Sequence, residues 1–291
     1  MDRVGALRRQ PPWHLRRTGF PAAWKLAASR LSPIRPVHIA ILDSGVALDH
    51  PMLRPLLGEG INLLRPGEPP VDENGHGTHV AGVIAWASGC WYDRRSPPRI
   101  RLHPVKIFDQ AGVGRVRDIV EGLRWCIQHG MQIVNLSFGT DQKTSPSLHE
   151  AIRQAQEAGI LLIGAAGNDG RSGAVDYPGR YPEVVAVGSC NRWDRPSRFS
   201  SAGPGIDLIA PGSAITSLAP EGGFVQMSGT SMAAPHVTAA AALLLALEPH
   251  LTPEAVRKRL KASAEWLPGV PGRAQGAGLL RADHLLRWGM T

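Results

Sequence analysis

Five nearly continuous apolar runs recur along the chain, and they narrow its possible folds more than any other feature. Residues 37–42 end at Asp43-Ser44-Gly45, and runs at 105–108, 133–138, 160–166 and 184–188 follow. Such runs, without polar alternation, read as strands buried on both faces, as parallel sheets require. Helical patterns lie between them. Residues 76–87 are rich in small side chains, and 116–129 space Ile119, Val120, Leu123 and Ile127 along one face. A third pattern at 148–158 stops at Gly159. Strand–helix alternation predicts an α/β domain with a mostly parallel sheet. The Ala-rich stretch 231–247 reads as a buried helix, and Thr252-Pro253 as the N-cap and first residue of another. No repeat or composition break divides the chain. One domain is therefore expected over residues 19–291, with an irregular N-terminal arm at 1–18.

Composition excludes several alternatives. With 43% hydrophobic and 19% charged residues, wholesale disorder is excluded. The net charge of +8 is scattered, apart from Arg3, Arg8, Arg9, Arg16 and Arg17 near the start and a run Arg257, Lys258, Arg259, Lys261. No nucleic-acid partner is expected from so diffuse a pattern. Three cysteines, Cys90, Cys126 and Cys190, show neither metal-ligand nor CxxC spacing, which points to a reducing, cytoplasmic setting. Pro11, Pro12, Arg16, Arg17 and Pro21 interrupt any secretory apolar segment. The longest apolar run, 239–247, is too short to span a bilayer, so no membrane partner is expected.

Three motifs at strand or helix ends carry chemistry. Asp43 lies in Leu42-Asp43-Ser44-Gly45, His76 in Asn74-Gly75-His76-Gly77-Thr78-His79, and Ser231 in Ser228-Gly229-Thr230-Ser231-Met232-Ala233. A serine hydroxyl needs an imidazole to take its proton, and that imidazole needs a carboxylate to fix its tautomer. Any one motif alone is an ordinary turn, a weak metal pair or a helix cap. Together they supply an acid, a base and a nucleophile. Gly229 to Ala233 does not fit GxSxG, which argues against an α/β-hydrolase elbow. His79 and His236 are read as core residues.

With these motifs in the chain order Asp, His, Ser, the sequence resembles the subtilisin-like serine peptidases, the subtilases, over most of its length. The resemblance implies a three-layer α/β/α fold around a mostly parallel sheet and a serine endopeptidase acting on peptides or proteins without a cofactor. It carries the oxyanion-stabilising role to Asn168 in Gly164-Ala165-Ala166-Gly167-Asn168-Asp169-Gly170. It further implies that substrate lies as an added strand between Gly112-Val113-Gly114 and Leu136-Ser137-Phe138-Gly139, with Asn74 beside it. Ala165, Ala166 and Gly167 would wall the pocket for the residue before the cut. Asp176, preceding Tyr177-Pro178-Gly179, would sit at its base and favour a substrate Arg or Lys.

Two departures from the family stand out. Only 42 residues precede Asp43, so either maturation is expected to need no pro-domain or the short arm of residues 1–17 is expected to play a small occluding part. Met52 and the segment 86–95 lack the oxygen ligands of the family's calcium site, so no metal is expected. Two other uses of the same fold remain open, a non-catalytic binding protein and a ligase with an amine as acyl acceptor.

Overall fold

The apolar runs pair side by side. In this computed structural model, which describes residues 11–30, 36–90, 100–140, 145–170 and 174–287, seven strands form one sheet. They are β1 (Val37–Asp43), β2 (Ile61–Asn62), β3 (Ile100–Lys106), β4 (Ile133–Leu136), β5 (Leu161–Ala165), β6 (Val184–Cys190) and β7 (Ile206–Pro211). Their order is β2-β3-β1-β4-β5-β6-β7, and every pair is parallel. A separate antiparallel hairpin joins β8 (Ile215–Leu218) to β9 (Phe224–Met227).

The helices are α1 (Trp13–Arg17), α2 (Phe20–Ser29), α3 (His76–Ala87), α4 (Val116–Gln128) and α5 (Pro146–Glu157). They continue with α6 (Thr230–Leu247), α7 (Pro253–Ala262), α8 (Gly272–Gln275) and α9 (Ala282–Arg287). Period-two alternation along each strand sorts side chains between two cores. Ile39, Ile41, Ile133, Leu161 and Ile163 meet α3 and α6 on one face. Ala40, Leu42, Val134 and Leu162 meet α4 and α5 on the other. The result is the expected three-layer α/β/α arrangement. Helix α6 is long and apolar enough to cross a membrane, and 83% of it is buried inside this fold.

Several expectations need adjustment. Strand β3 starts earlier than its most apolar stretch and ends at Lys106, because Ile107 and Phe108 turn their N–H groups to the Asp43 carbonyl. Strand β4 likewise stops at Leu136, releasing Ser137 and Phe138 into a loop. Strands β2, β7, β8 and β9 were not evident from periodicity. Asp207 and Pro211 interrupt the apolar pattern of β7, and β2 has only two residues.

The N-terminal arm differs most. Residues 1–10 lie outside the described residues, but the rest of the arm is not irregular. Helix α1 buries His14 and Leu15 completely. Arg17 binds Asp194 at 2.8 Å and Glu265 at 2.7 Å. The described part of the arm is thus built into the core. Three of the four cations in the basic run of α7 are paired, since Arg257 and Lys261 bind the buried Asp207 and Arg259 binds Glu248, while Lys258 is exposed.

His14, His79 and His236 are all fully buried, as expected for the last two. His236 Nδ1 donates to the Met232 carbonyl at 2.9 Å, so its Nε2 accepts from His14 Nδ1 at 2.8 Å. His79 Nε2 donates to the Ile215 carbonyl at 3.0 Å. Burial above all pushes each imidazole down, to about 4 for His79 and His236 and well below normal for His14. Unfolded, these groups take protons below pH 6.5, whereas folded His79 and His236 stay neutral until about pH 4, and His14 is shifted in the same direction. Their contribution is therefore complete above pH 6.5 and is lost as pH falls toward 4. Urea unfolding should show stability falling by roughly 3–5 kcal/mol between pH 7 and 4.5. Equal unfolding midpoints at the two pH values would contradict this account.

Candidate active site

The C-terminal ends of the parallel strands deliver the three motifs to one edge of the sheet. Asp43 is the last residue of β1 and is 1% exposed. His76 opens α3 after Gly75, whose φ of 100° is a left-handed conformation that favours glycine. His76 Nδ1 lies 2.7 Å from Asp43 Oδ1. That contact places the proton on Nδ1 and leaves Nε2 with its lone pair. Burial alone would push the imidazole down, but the charge and hydrogen bond of Asp43, with Asp72 adding, hold its pKa above the ordinary value.

Asp72 has no counterpart in the sequence reading. Its Oδ1 accepts from the N–H groups of Asn74 (3.0 Å) and Gly75 (2.8 Å) and from the Ser44 hydroxyl (2.8 Å). Its Oδ2 accepts from the N–H (2.8 Å) and hydroxyl (2.6 Å) of Thr78. Burial would raise this carboxyl, yet these donors keep it below the usual carboxylate range. Ser44 connects it to the catalytic edge, because the same hydroxyl lies 3.3 Å from Asp43 Oδ1 and accepts from Gly77 N–H at 3.0 Å. Lys106 closes the back of this group, donating to the carbonyls of Ser44 (2.7 Å) and Val71 (2.9 Å). The available signal was an acid four residues before His76 in a polar, glycine-containing loop.

Ser231 is the second residue of α6. Pro235 lies within the helix and has no N–H to give to the Ser231 carbonyl four residues earlier. The Ser137 hydroxyl takes that carbonyl instead, at 2.9 Å. The Ser231 hydroxyl in turn donates to the Ser137 carbonyl at 2.7 Å. The Ser231 hydroxyl thus rests on the Ser137 carbonyl, and among the described residues no hydrogen bond joins it to His76. A strand-end carbonyl is an open acceptor, and a staggered rotation about χ1 exchanges it for another.

Asn168 lies just past β5 and is exposed. Thr230 donates its N–H (2.9 Å) and hydroxyl (3.2 Å) to Asn168 Oδ1. A backbone N–H can only donate, so the contacting atom is the amide oxygen and Nδ2 remains free to donate. A β-carbon built on Gly229 would lie 3.7 Å from that Nδ2, which sets it beside the start of α6.

Most of the expected substrate residues share one cleft of about 560 Å³. Asn74, Gly112, Val113, Gly114, Ser137, Phe138 and Gly139 line it together with Asp43 and His76. Leu136, Ala165, Ala166 and Gly167 are buried behind it. Asp176 is 8% exposed and does not line this cleft. It is packed against two of the expected walls, since a β-carbon on Gly139 would come within 2.6 Å of its carboxylate and one on Gly167 would collide with it. Residues 171–173 of the preceding loop lie outside the described residues, as do 91–95. Sequence reasoning missed the apolar part of the cleft. Phe108 and Phe138 meet edge-on with centroids 5.1 Å apart, and Val116, Ile119, Leu148 and Tyr177 complete it. Among the described residues, no group of three or more His, Cys, Asp or Glu is arranged to hold a metal.

Replacing Asp72 with Asn puts an amide among five donors and removes a charge that favours imidazolium. For Asp72→Asn, kcat/KM should fall about tenfold to a hundredfold, and the acidic limb of its pH profile should move to lower pH. A lower rate with an unmoved limb would reduce Asp72 to a purely steric support.

Comparison with known proteins fits this geometry. The model of the subtilase family matches residues 35–289. The thermostable alkaline protease of Halalkalibacterium halodurans is 39% identical over 246 residues, covering 84% of this chain and 66% of that protein. Subtilisin Savinase of Lederbergia lenta is 36% identical over 277 residues, covering 95% and 98%. Among solved structures, a cold-adapted subtilisin-like serine proteinase superposes with a TM-score of 0.79 at 30% identity, covering 93% of this chain and 98% of the other.

Proposed function

Because the chain belongs to the subtilase family and is a serine endopeptidase, we propose that Ser231, His76, Asp43 and Asn168 carry its reaction. The observation behind this assignment is the 2.7 Å Asp43–His76 contact opening onto a cleft whose Ser137 is bonded to the Ser231 hydroxyl. In the reaction the Ser231 hydroxyl turns from the Ser137 carbonyl to His76 Nε2 and gives up its proton as Oγ bonds to the scissile carbon. The C–N bond then breaks, and His76 returns the proton to the leaving amine. Asp43 holds the imidazole in place and stabilises its charged form. Asn168 Nδ2 and the Ser231 N–H donate to the oxyanion. The Ser137 carbonyl, relieved of the hydroxyl, becomes available to a substrate N–H along the Ser137–Gly139 edge. Water then repeats the sequence on the acyl-enzyme.

Asp176 is packed against Gly139 and Gly167, just beyond the lining of the cleft, and a carboxylate charge so close behind two expected walls supports a preference for Arg or Lys before the cut. The aromatic and aliphatic surface of Phe108, Phe138, Val116 and Ile119 supports apolar residues further upstream. Pairing of Arg257, Arg259 and Lys261 with Asp207 and Glu248 supports peptides rather than nucleic acid as partners of this face. The absence of any disulfide among Cys90, Cys126 and Cys190 supports a reducing, cytoplasmic setting.

A fluorophosphonate probe should label the protein and leave Ser231→Ala unlabelled, with turnover reduced at least about 10⁴-fold in that variant. Persistent labelling of Ser231→Ala would reject the assigned nucleophile. For matched peptides with Arg, Leu or Phe before the cut, kcat/KM should favour Arg by about tenfold or more, and Asp176→Asn should erase that advantage. A wild-type preference for Leu or Phe would reject the role of Asp176.

A further inference from the structure

Two indoles stand in solvent away from the cleft. Trp193 is 73% exposed and Trp266 is 55% exposed, and no other Trp, Phe or Tyr among the described residues is exposed. Large exposed aromatics on a well-packed domain mark contact surfaces.

Trp193 is held out by a fully bonded turn. Asn191 Oδ1 accepts from the N–H groups of Trp193 (3.0 Å) and Arg195 (3.2 Å). Asn191 N–H donates to the Arg195 carbonyl at 2.9 Å, and Asp194 N–H to the Asn191 carbonyl at 3.1 Å. Asp194 has a φ of 60°, a conformation kept here by Arg17, which grips its carboxylate. The same guanidinium binds Glu265, the neighbour of Trp266, so one side chain joins the two indole-bearing segments. Arg281 adds contacts to Glu265 (2.5 Å) and Asp283 (3.0 Å).

This network neutralises the local carboxylates and leaves cations around the indoles. Arg16, Arg192, Arg195 and Arg273 are exposed and form no ion pair among the described residues. Arg192 lies over the Trp193 ring, 6.0 Å from its centroid. The Trp266 ring packs beside Gly272, next to Arg273. A rigid aromatic surface with unpaired arginines is complementary to an acidic chain that also carries apolar side chains.

Topology gives the surface a direction. Strand β6 pairs with β5 in parallel, so the Trp193 turn after β6 and Asn168 after β5 both follow strand ends on the same edge of the sheet. The cleft lies on the other side of Asn168, on loops following β3 and β4. With the residues before the cut in that cleft, as the peptidase reading has it, residues after the cut would leave toward β6.

We propose that Trp193 and Trp266, with Arg16, Arg192, Arg195 and Arg273, form an exosite for an acidic segment of protein substrates that lies beyond the cleaved bond. The proposal rests on the peptidase reading for its role, but its binding step is testable alone. A fluorescently labelled peptide of Glu, Asp and Leu, titrated into the full chain carrying Ser231→Ala, should bind in a salt-sensitive manner. Affinity should fall about tenfold with Trp193→Ala and Trp266→Ala combined, and likewise with Arg192→Glu and Arg195→Glu combined. A peptide with Lys in place of the acids should not bind. In turnover, an acidic tail after the cut should lower KM about tenfold in the wild type and have no effect in the double Trp variant. The tail-less substrate should be cleaved equally by both. Equal affinity for the acidic and Lys peptides, or undiminished affinity in both double variants, would overturn the proposal, as would tighter binding of a single-stranded oligonucleotide to the same residues. Failure of the wild type to cleave the tail-less substrate would count against the peptidase reading alone, with the titration still deciding the exosite.

Discussion

A buried carboxylate that must be satisfied organises the catalytic edge. Asp72 is enclosed beneath the loop that carries His76, and its charge is tolerable only because five donors converge on it. Those donors come from the loop before α3, from the first turn of α3 and from the end of β1. Satisfying the charge therefore fixes where β1 stops relative to where α3 begins. Asp43 and His76 occupy those two ends, and their 2.7 Å contact follows from that constraint. Lys106 acts from β3 in the same way, holding the Ser44 and Val71 carbonyls that flank the group.

Ser231 is positioned by an absence. Pro235 removes one hydrogen bond from α6, and the carbonyl it leaves unmatched belongs to Ser231. Ser137 supplies the missing donor and offers its own carbonyl to the Ser231 hydroxyl. Asn135 and Thr238 extend the link into the core through contacts of 2.8 Å each. The end of β4 and the start of α6 are consequently locked together, at the point where the proposed reaction would need substrate against one and the attacking hydroxyl on the other. Thr230 makes the corresponding link to β5 by bonding both Gly167 and Asn168.

Those links explain what could be read from the sequence. Buried parallel strands announce themselves as apolar runs, and Asp43, His76, Ser231 and Asn168 sit in short motifs whose side chains only this chemistry requires together. The strands with a polar or cyclic residue inside them, such as β7 with Asp207 and Pro211, carry no such pattern and emerge only from their neighbours. Asp72 and Pro235 were unreadable for another reason. Each acts through a serine hydroxyl that is distant in the chain, Ser44 for Asp72 and Ser137 for the carbonyl that Pro235 frees, and a lone acid or proline does not reveal that partner. The aromatic contact of Phe108 with Phe138 likewise depends on two loops meeting, which local spacing does not encode. The resting position of the Ser231 hydroxyl depends on an acceptor 94 residues away.

The N-terminal arm shows how one short helix can serve both ends of the molecule. Four residues of α1 span the distance between its tasks. His14 is buried against His236, within the helix that begins with the nucleophile, while Arg17 faces outward and holds Asp194 and Glu265. An imidazole pair in the core fixes how α1 lies on α6, and a helix fixed in that way can present its guanidinium in only one direction. The turn carrying Trp193 and the segment carrying Trp266 are therefore referenced, through α1, to the same helix that positions Ser231. A surface held in register with the nucleophile can set where a bound chain is cut, which a surface tethered by a flexible loop cannot do.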